Sequence, residues 1–125
     1  MILVDTSVWV DHLRNGDDEL IKRLEAGQTL VHPFVIGELA CGNLSNRSDV
    51  LRLLHDLPHA PMATNEEVLI LIEKNALMGL GIGFIDAHLL AATLLADGSR
   101  IWTRDKRLHL VADDLNLSYS PAGNQ

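Results

Sequence analysis

The stretch Met1–Ser7, with the sequence MILVDTS, indicates the fold class of this 125-residue chain. Its opening apolar residues are typical of a short buried strand in a parallel sheet, and Thr6 or Ser7 can cap a helix that follows. Asp5 then stands at the carboxyl end of the strand. In open α/β sheets this edge forms the crevice where ligands bind, so the carboxylate of Asp5 is well placed for chemistry.

Strands and helices alternate along the rest of the chain. This order predicts an α/β fold of three layers, in which a central, mainly parallel sheet is flanked by helices. No linker separates the segments, so a single domain is expected over residues 1–125. Further strands are predicted at residues 28–32, 100–103 and 117–119, and helices at 7–14, 17–26, 33–42, 50–57, 66–78, 83–92 and 105–115.

Three more acidic residues occupy positions comparable to that of Asp5. Glu38 is predicted to be buried in an apolar helix, Asp86 lies near the start of another apolar helix, and Asp105 follows the predicted strand at 100–103. Helices that follow parallel strands begin at the carboxyl edge of the sheet, so the four carboxylates are expected to converge there. Gathered carboxylates repel each other and resist desolvation unless a cation neutralises them. The pattern therefore predicts a metal site.

The donor atoms indicate which ion such a site would take. Carboxylate oxygens favour a hard cation, and no Cys or His cluster stands at the spacing of zinc ligands, so Mg²⁺ or Mn²⁺ is expected. His88 is two residues from Asp86 and faces another side of the helix, and most of the other histidines are predicted at the surface or the edge of the core. A hard ion among carboxylates is typical of phosphodiester hydrolysis.

Four motifs, VDTSVW (4–9), GEL (37–39), DAHLLAA (86–92) and TRD (103–105), together resemble the PIN-domain ribonucleases, most closely the VapC toxins. The resemblance covers nearly the whole chain and implies a PIN-like, Rossmann-like fold and an Mg²⁺- or Mn²⁺-dependent endoribonuclease. It implies that the catalytic residues and metal ligands are Asp5, Glu38, Asp86 and Asp105. Nearby hydroxyls and a substrate contact would come from Thr6, Ser7, Thr103 and Arg104.

The resemblance also implies partners. A cognate VapB-type antitoxin would wrap the protein and place a basic side chain against the acids, and the toxin would form a homodimer. RNA would be the substrate. The opening apolar run is too short for a signal peptide and no stretch reaches the length of a membrane helix, so a cytoplasmic protein without a membrane partner is expected.

Charge argues against RNA binding, because the net charge is −7 at pH 7. Local charge can oppose the net charge, and Arg104, Lys106 and Arg107 stand beside Asp105. A phosphate-binding rim could extend to Arg14, Arg47 and Arg52, although solvated helix faces explain these three equally well.

Two alternative functions remain open at this point. A catalytically inactive PIN-like binding module would keep the acids for folding or for recognition of a partner. An aspartate-nucleophile phosphatase also places an Asp after the first strand, but it usually needs a second Asp two residues later, where this chain has Ser7.

The remaining residues receive structural interpretations. Trp9 and Trp102 are predicted in the core, Cys41 is predicted as a small buried side chain, and Gly79–Gly83 is predicted as a turn between helices. Asn65 is expected to cap one helix, and Ser45 or Ser48 another. Solvated surface positions are predicted for Asp11, Asp17, Asp18, Asp113 and Asp114.

Overall fold

The computed structural model describes residues 1–121, which form a parallel sheet flanked by helices. Its strands are β1 (Ile2–Val4), β2 (Thr29–Leu30) and β3 (Arg100–Trp102), in the spatial order β2-β1-β3. Both strand pairs are parallel, and Leu3 lies opposite Leu30 on one side and Ile101 on the other. The predicted α/β class is therefore confirmed, and β1 and β3 end side by side at one edge.

Helices fill every connection between these strands, as parallel pairing requires. Two helices join β1 to β2, four lie between β2 and β3, and one follows β3. No helix in this part of the chain is both long and apolar enough to cross a membrane. The helices are α1 (Thr6–Asn15), α2 (Asp18–Glu25), α3 (Pro33–Ala40), α4 (Arg47–Asp56), α5 (Asn65–Lys74), α6 (Phe84–Leu95) and α7 (Lys106–Asp114).

The core lies on both faces of the sheet. All three residues of β1 are buried, and successive strand residues point to opposite faces, so both faces must be covered. The middle of α6 is buried over the run Ala87–Thr93, and α6 packs against α5 and β3. Trp9 and Trp102 are buried as predicted. This packing fixes the positions from which the acidic side chains project.

Short bridging segments cover the outer strands. The strand predicted at 117–119 is a single parallel bridge between Ile101 and Ser118, in which the Ile101 N–H donates to Leu117 and the Tyr119 N–H donates to Ile101. On the other side, Val31 bridges to His59. The chain therefore runs along β3 where it was expected but pairs at one residue.

Three predicted helix caps are wrong. Helix α1 begins at Thr6, so Asp5 stands at its N-cap position and neither Thr6 nor Ser7 caps it. Thr64, and not Asn65, caps α5, because its hydroxyl accepts from the Glu67 N–H while the Glu67 carboxylate accepts from the Thr64 N–H. The amide oxygen of Asn65 instead lies 2.9 Å from Nε2 of His88. Helix α4 begins after Asn46, which has a left-handed backbone and provides no side-chain cap, so neither predicted serine caps it.

A prediction about burial is also wrong. Cys41 is exposed, because α3 ends at Ala40 and the next residue leaves the helix. Most of the histidines are exposed or partly buried as predicted, namely His12, His55, His59 and His109, whereas His32 and His88 are fully buried. Phe34 packs edge-on against both imidazole rings, with centroids 5.0 Å and 4.9 Å away. These three rings form an aromatic cluster that joins α3 to α6.

Candidate active site at the carboxyl edge of the sheet

Asp5 is a buried carboxylate held by two hydroxyl groups. It follows β1 as the residue before α1, and 6% of it is exposed. Its Oδ2 accepts hydrogen bonds from Ser7 Oγ at 2.8 Å and from Thr103 Oγ1 at 2.7 Å. A buried polar group is costly unless it has hydrogen-bond partners, and these two hydroxyls provide them.

The same two hydroxyls join the loop after β3 to the start of α1. Ser7 Oγ accepts from the Arg104 N–H at 2.9 Å, and Thr103 Oγ1 accepts from the Asp105 N–H at 3.1 Å. Each hydroxyl therefore donates to Asp5 and accepts from the backbone that carries Asp105. The positions of Asp5 and Asp105 are coupled through this network.

Asp105 and Asp86 stand at the starts of two helices. Asp105 caps α7, and its Oδ1 accepts from the backbone N–H groups of Arg107 and Leu108 at 2.9 Å and 3.0 Å. Asp86 lies in the first turn of α6, where its Oδ2 accepts from the Gly83 N–H at 3.2 Å. Both carboxylates thus meet the positive end of a helix dipole.

The charges of the three other acids act on the carboxyl group of Asp86. Burial raises the pKa of the Asp86 carboxyl, the hydrogen bond from Gly83 opposes this effect, and the negative charges of Asp5, Asp105 and Glu38 raise the pKa further. Glu38 is exposed rather than buried as expected, and its Oε1 accepts from Thr6 Oγ1 at 2.7 Å. The structure therefore brings the four acids into electrostatic range of each other.

The donor set fits a hard cation. One oxygen of each carboxylate accepts no hydrogen bond from residues 1–121, namely Oδ1 of Asp5 and Asp86, Oδ2 of Asp105 and Oε2 of Glu38. Among the described residues, no three His, Cys or acidic side chains lie close enough together to hold an ion directly. Mg²⁺ commonly binds one or two carboxylates directly and keeps several waters. Carboxylate oxygens that are too far apart to bind it together can therefore still hold it through those waters.

Arg104 is committed to an ion-pair cluster. Its guanidinium binds Asp11 at 2.5 Å and also binds Asp17, and it lies 5.8 Å from the centroid of the Trp102 ring. Asp17 also caps α2 by accepting from the Leu20 N–H at 2.9 Å. Although burial opposes ionisation of Asp17, its hydrogen bonds lower the pKa of its carboxyl. The side chain of Arg104 thus ties the loop after β3 to α1 and α2.

This cluster corrects the interpretation of two acids. Asp11 and Asp17 were expected on the solvated surface, but both are partly buried and paired with Arg104. Asp18, Asp113 and Asp114 are exposed as predicted. The pairing joins residues more than 80 positions apart, so no local pattern indicated it.

His32 supports the helix that carries Glu38, which the sequence interpretation missed. Its Nδ1 accepts from the Phe34 N–H at 3.0 Å and so caps α3. Burial, together with the charges of His88 and His59, lowers the pKa of His32 to about 4. A neutral imidazole thus positions α3 at pH 7. Its place directly before Pro33 was the available signal, since proline favours the first helical position.

Comparison of the sequence with known proteins identifies the class of protein that has this fold and acidic residues at this sheet edge. A family model described as the PIN domain matches residues 2–114, and the chain belongs to the PIN-domain family. Over 108 residues, 86% of this chain and 87% of the relative, it is 49% identical to Ribonuclease VapC32 of Mycobacterium tuberculosis strain CDC 1551 / Oshkosh. The same values apply to Ribonuclease VapC32 of strain ATCC 25618 / H37Rv. The resemblance to VapC-type PIN-domain ribonucleases is thereby confirmed.

Proposed function

We propose that this protein, as a single PIN domain over residues 1–125, is the toxin of a VapBC-type toxin–antitoxin system. It acts as an endoribonuclease that depends on Mg²⁺ or Mn²⁺. The observation that carries the proposal is the group of four acids at the sheet edge, where the charges of Asp5, Asp105 and Glu38 raise the pKa of Asp86. RNA as the substrate is supported by the name of the Mycobacterium tuberculosis relatives, Ribonuclease VapC32.

The proposed reaction is hydrolysis of a phosphodiester. The oxygen of a water forms a bond to phosphorus, the bond from phosphorus to the leaving oxygen breaks, and that oxygen takes up a proton. When bound, the divalent cation neutralises the carboxylates and polarises the water and the phosphate oxygens. The free oxygens of the four acids would hold the ion in part through water molecules, because no three of these side chains within residues 1–121 lie close enough together to bind it directly.

The chain itself orients these oxygens. Ser7 and Thr103 fix Oδ2 of Asp5, so Oδ1 remains for the ion. The N–H groups at the start of α7 orient Asp105, and the Thr6 hydroxyl orients Glu38. Because both hydroxyl protons of Ser7 and Thr103 point to Asp5, these residues act as positioning groups and not as nucleophiles.

The proposed inhibitor is a cognate VapB-type antitoxin that acts in the same cytoplasm. Unshared carboxylate oxygens and a net charge of −7 favour a basic side chain from the partner in the crevice. Such a side chain would compete with the cation. Addition of the antitoxin should therefore stop cleavage, and excess Mg²⁺ should weaken that inhibition.

The proposed homodimer is supported by exposed apolar side chains on α5 and α6. Leu69, Ile70, Leu94 and Leu95 are 54%, 64%, 47% and 48% exposed. Ile70, Leu94 and Leu95 line a shared groove between these helices. Contiguous exposed apolar surface of this kind marks interaction sites. Sedimentation velocity of the purified protein tests for the dimer.

The test of the activity is cleavage of total bacterial RNA by purified, antitoxin-free protein. Reactions contain Mg²⁺, Mn²⁺ or excess chelator, and they compare the wild type with Asp86→Asn and Asp97→Asn. Asp97 is exposed just beyond the other end of α6, about 16 Å from Asp86 at 1.5 Å per residue. Each variant loses one carboxylate, one at the start of α6 and one just beyond its end, so Asp97→Asn is a matched control.

Discrete fragments are expected with the wild type and with Asp97→Asn, but not with chelator or Asp86→Asn. Equal circular dichroism spectra must show that both variants fold. Full activity of Asp86→Asn would remove that residue from the site. RNA binding without cleavage under any ion would instead support the alternative, a catalytically inactive PIN-like binding module.

A further inference from the structure

The side chain of Arg107 lies directly against the loop that leads into α6. A β-carbon built on Gly81 would stand 2.5 Å from Cδ, 2.8 Å from Nη1 and 3.0 Å from Nε of Arg107. Gly81 also has φ +83°, a backbone conformation that favours glycine. Gly81 therefore provides both the turn and the space that Arg107 occupies.

This contact places Arg107 between the elements that carry two of the acids. Arg107 is in the first turn of α7, where its N–H donates to Asp105 Oδ1. Gly81 lies just before Gly83, whose N–H donates to Asp86 Oδ2. The side chain of Arg107 thus reaches from the helix capped by Asp105 to the loop that begins the helix of Asp86. It lies at the rim of the acidic crevice.

The charge of Arg107 is available to a ligand. Of the two arginines beside Asp105, Arg104 is bound to Asp11 and Asp17. Arg107 is exposed, and its guanidinium forms no ion pair or hydrogen bond with any other residue of 1–121. A guanidinium in this state offers five donors in a planar fork that matches the oxygens of a phosphate.

An RNA strand needs such a contact here. The protein has a net charge of −7, and its acids would repel the phosphates on either side of the bond to be cut. A cation beside the acids, held on a glycine turn, offsets this repulsion without neutralising the carboxylates themselves.

We propose that Arg107, seated on Gly81, binds a backbone phosphate of the RNA next to the scissile phosphodiester. The proposal rests on the proposed function and assigns to Arg107 the binding of substrate rather than chemistry. It also assigns different roles to the two arginines, since Arg104 stabilises the fold of the site and Arg107 contacts the substrate.

The test measures RNA binding as a function of salt. Fluorescent single-stranded RNA is titrated with Asp86→Asn protein, so that cleavage does not interfere, and with the same protein carrying Arg107→Ala, Arg107→Lys or Arg52→Ala. Arg52 is the matched control, because its removal changes the net charge equally. Its exposed side chain on α4 pairs locally with Asp49, which favours the solvated helix face over the phosphate-binding rim for this residue.

Arg107→Ala should weaken RNA binding about tenfold and make the slope of log K against log salt shallower by about 0.7. Arg107→Lys should restore the slope but not the full affinity, because lysine keeps the charge and loses the fork. In protein with Asp86 intact, Arg107→Ala should raise KM for RNA far more than it lowers kcat.

A double-mutant cycle tests the role of Gly81. Gly81→Ala should weaken binding when Arg107 is present, because the new β-carbon displaces the arginine, and should cause no further weakening in Arg107→Ala. A further loss in the double variant would overturn the claim that Gly81 acts through Arg107. Thermal denaturation of each variant shows whether it is folded at the temperature of the binding measurement.

Failure of this proposal can be told apart from failure of the function. If the wild type cleaves RNA and Arg107→Ala binds RNA with the affinity and salt slope of Arg52→Ala, the inference about Arg107 is wrong and the nuclease stands. The same applies if Arg107→Ala only lowers the melting temperature and leaves the salt slope unchanged. If the wild type does not cleave RNA with any ion, the proposed nuclease is wrong.

Discussion

Thr103→Val should destabilise the protein much more than the loss of a buried threonine hydroxyl normally does. The Thr103 hydroxyl is buried, donates to the Asp5 carboxylate at 2.7 Å and accepts from the Asp105 N–H at 3.1 Å. Valine keeps the shape of the side chain and removes both bonds. Asp5 would then retain Ser7 as its only hydroxyl donor among the described residues.

The magnitude follows from the two bonds. A hydrogen bond to a charged group contributes about 1.5–3 kcal/mol, and a neutral one about 1 kcal/mol. We therefore expect Thr103→Val to lower the free energy of unfolding by roughly 2–4 kcal/mol at pH 7. Cleavage of RNA should also fall, because the backbone of Asp105 is no longer held to Asp5.

Urea denaturation followed by circular dichroism, at pH 7 with chelator, measures the effect. Thr93→Val is the control, because Thr93 is equally buried and its hydroxyl makes one neutral bond to the Leu89 carbonyl at 2.8 Å. That variant should lose about 1 kcal/mol. If Thr103→Val costs no more than Thr93→Val, the hydroxyl does not stabilise a buried carboxylate and the reasoning fails.

Two further predictions concern the arginine cluster and the buried histidine. Arg104→Ala should cost about 1 kcal/mol of stability, because its side chain and that of Asp11 are more than a third exposed and solvent screens the pairs. Denaturation at low and high salt should show this difference shrinking as salt rises, and an equal loss at both would contradict an ionic origin. His32 should make the protein less stable in acid. The unfolded chain takes up a proton near pH 6.5 and the folded protein only near pH 4, so stability falls as pH decreases between these values and no further below them. The pKa difference corresponds to roughly 3 kcal/mol. His32→Asn keeps a capping group and should flatten the pH dependence in that window; an unchanged slope would show that other groups cause it.

The positions of three of the four acids could be predicted because strand ends and helix starts are local features. Asp5 and Asp105 each follow a predicted strand, and parallel pairing then places both at one edge. Asp86 is near the start of an apolar helix, which also begins at that edge. Chain order and a parallel sheet are sufficient for this part of the site.

The remaining features depend on how helices rotate and pack. Glu38 lies in an apolar segment, yet its helix presents it to solvent, and the Thr6 hydroxyl meets it there. The pairing of Arg104 with Asp11 and Asp17 needs the placement of α1 and α2 beside β3. A single sequence provides the residues for such contacts but not the relative orientation of the elements.

The bridges that flank the sheet limit how this protein can associate with others. Ile101 of β3 already exchanges backbone hydrogen bonds with Leu117 and Tyr119, and Val31 after β2 does so with Pro58 and Ala60. The backbone groups that an incoming strand would use are therefore occupied at these positions on both sides. At these positions, a partner or a second copy therefore cannot add a strand directly to β3 or to the chain after β2.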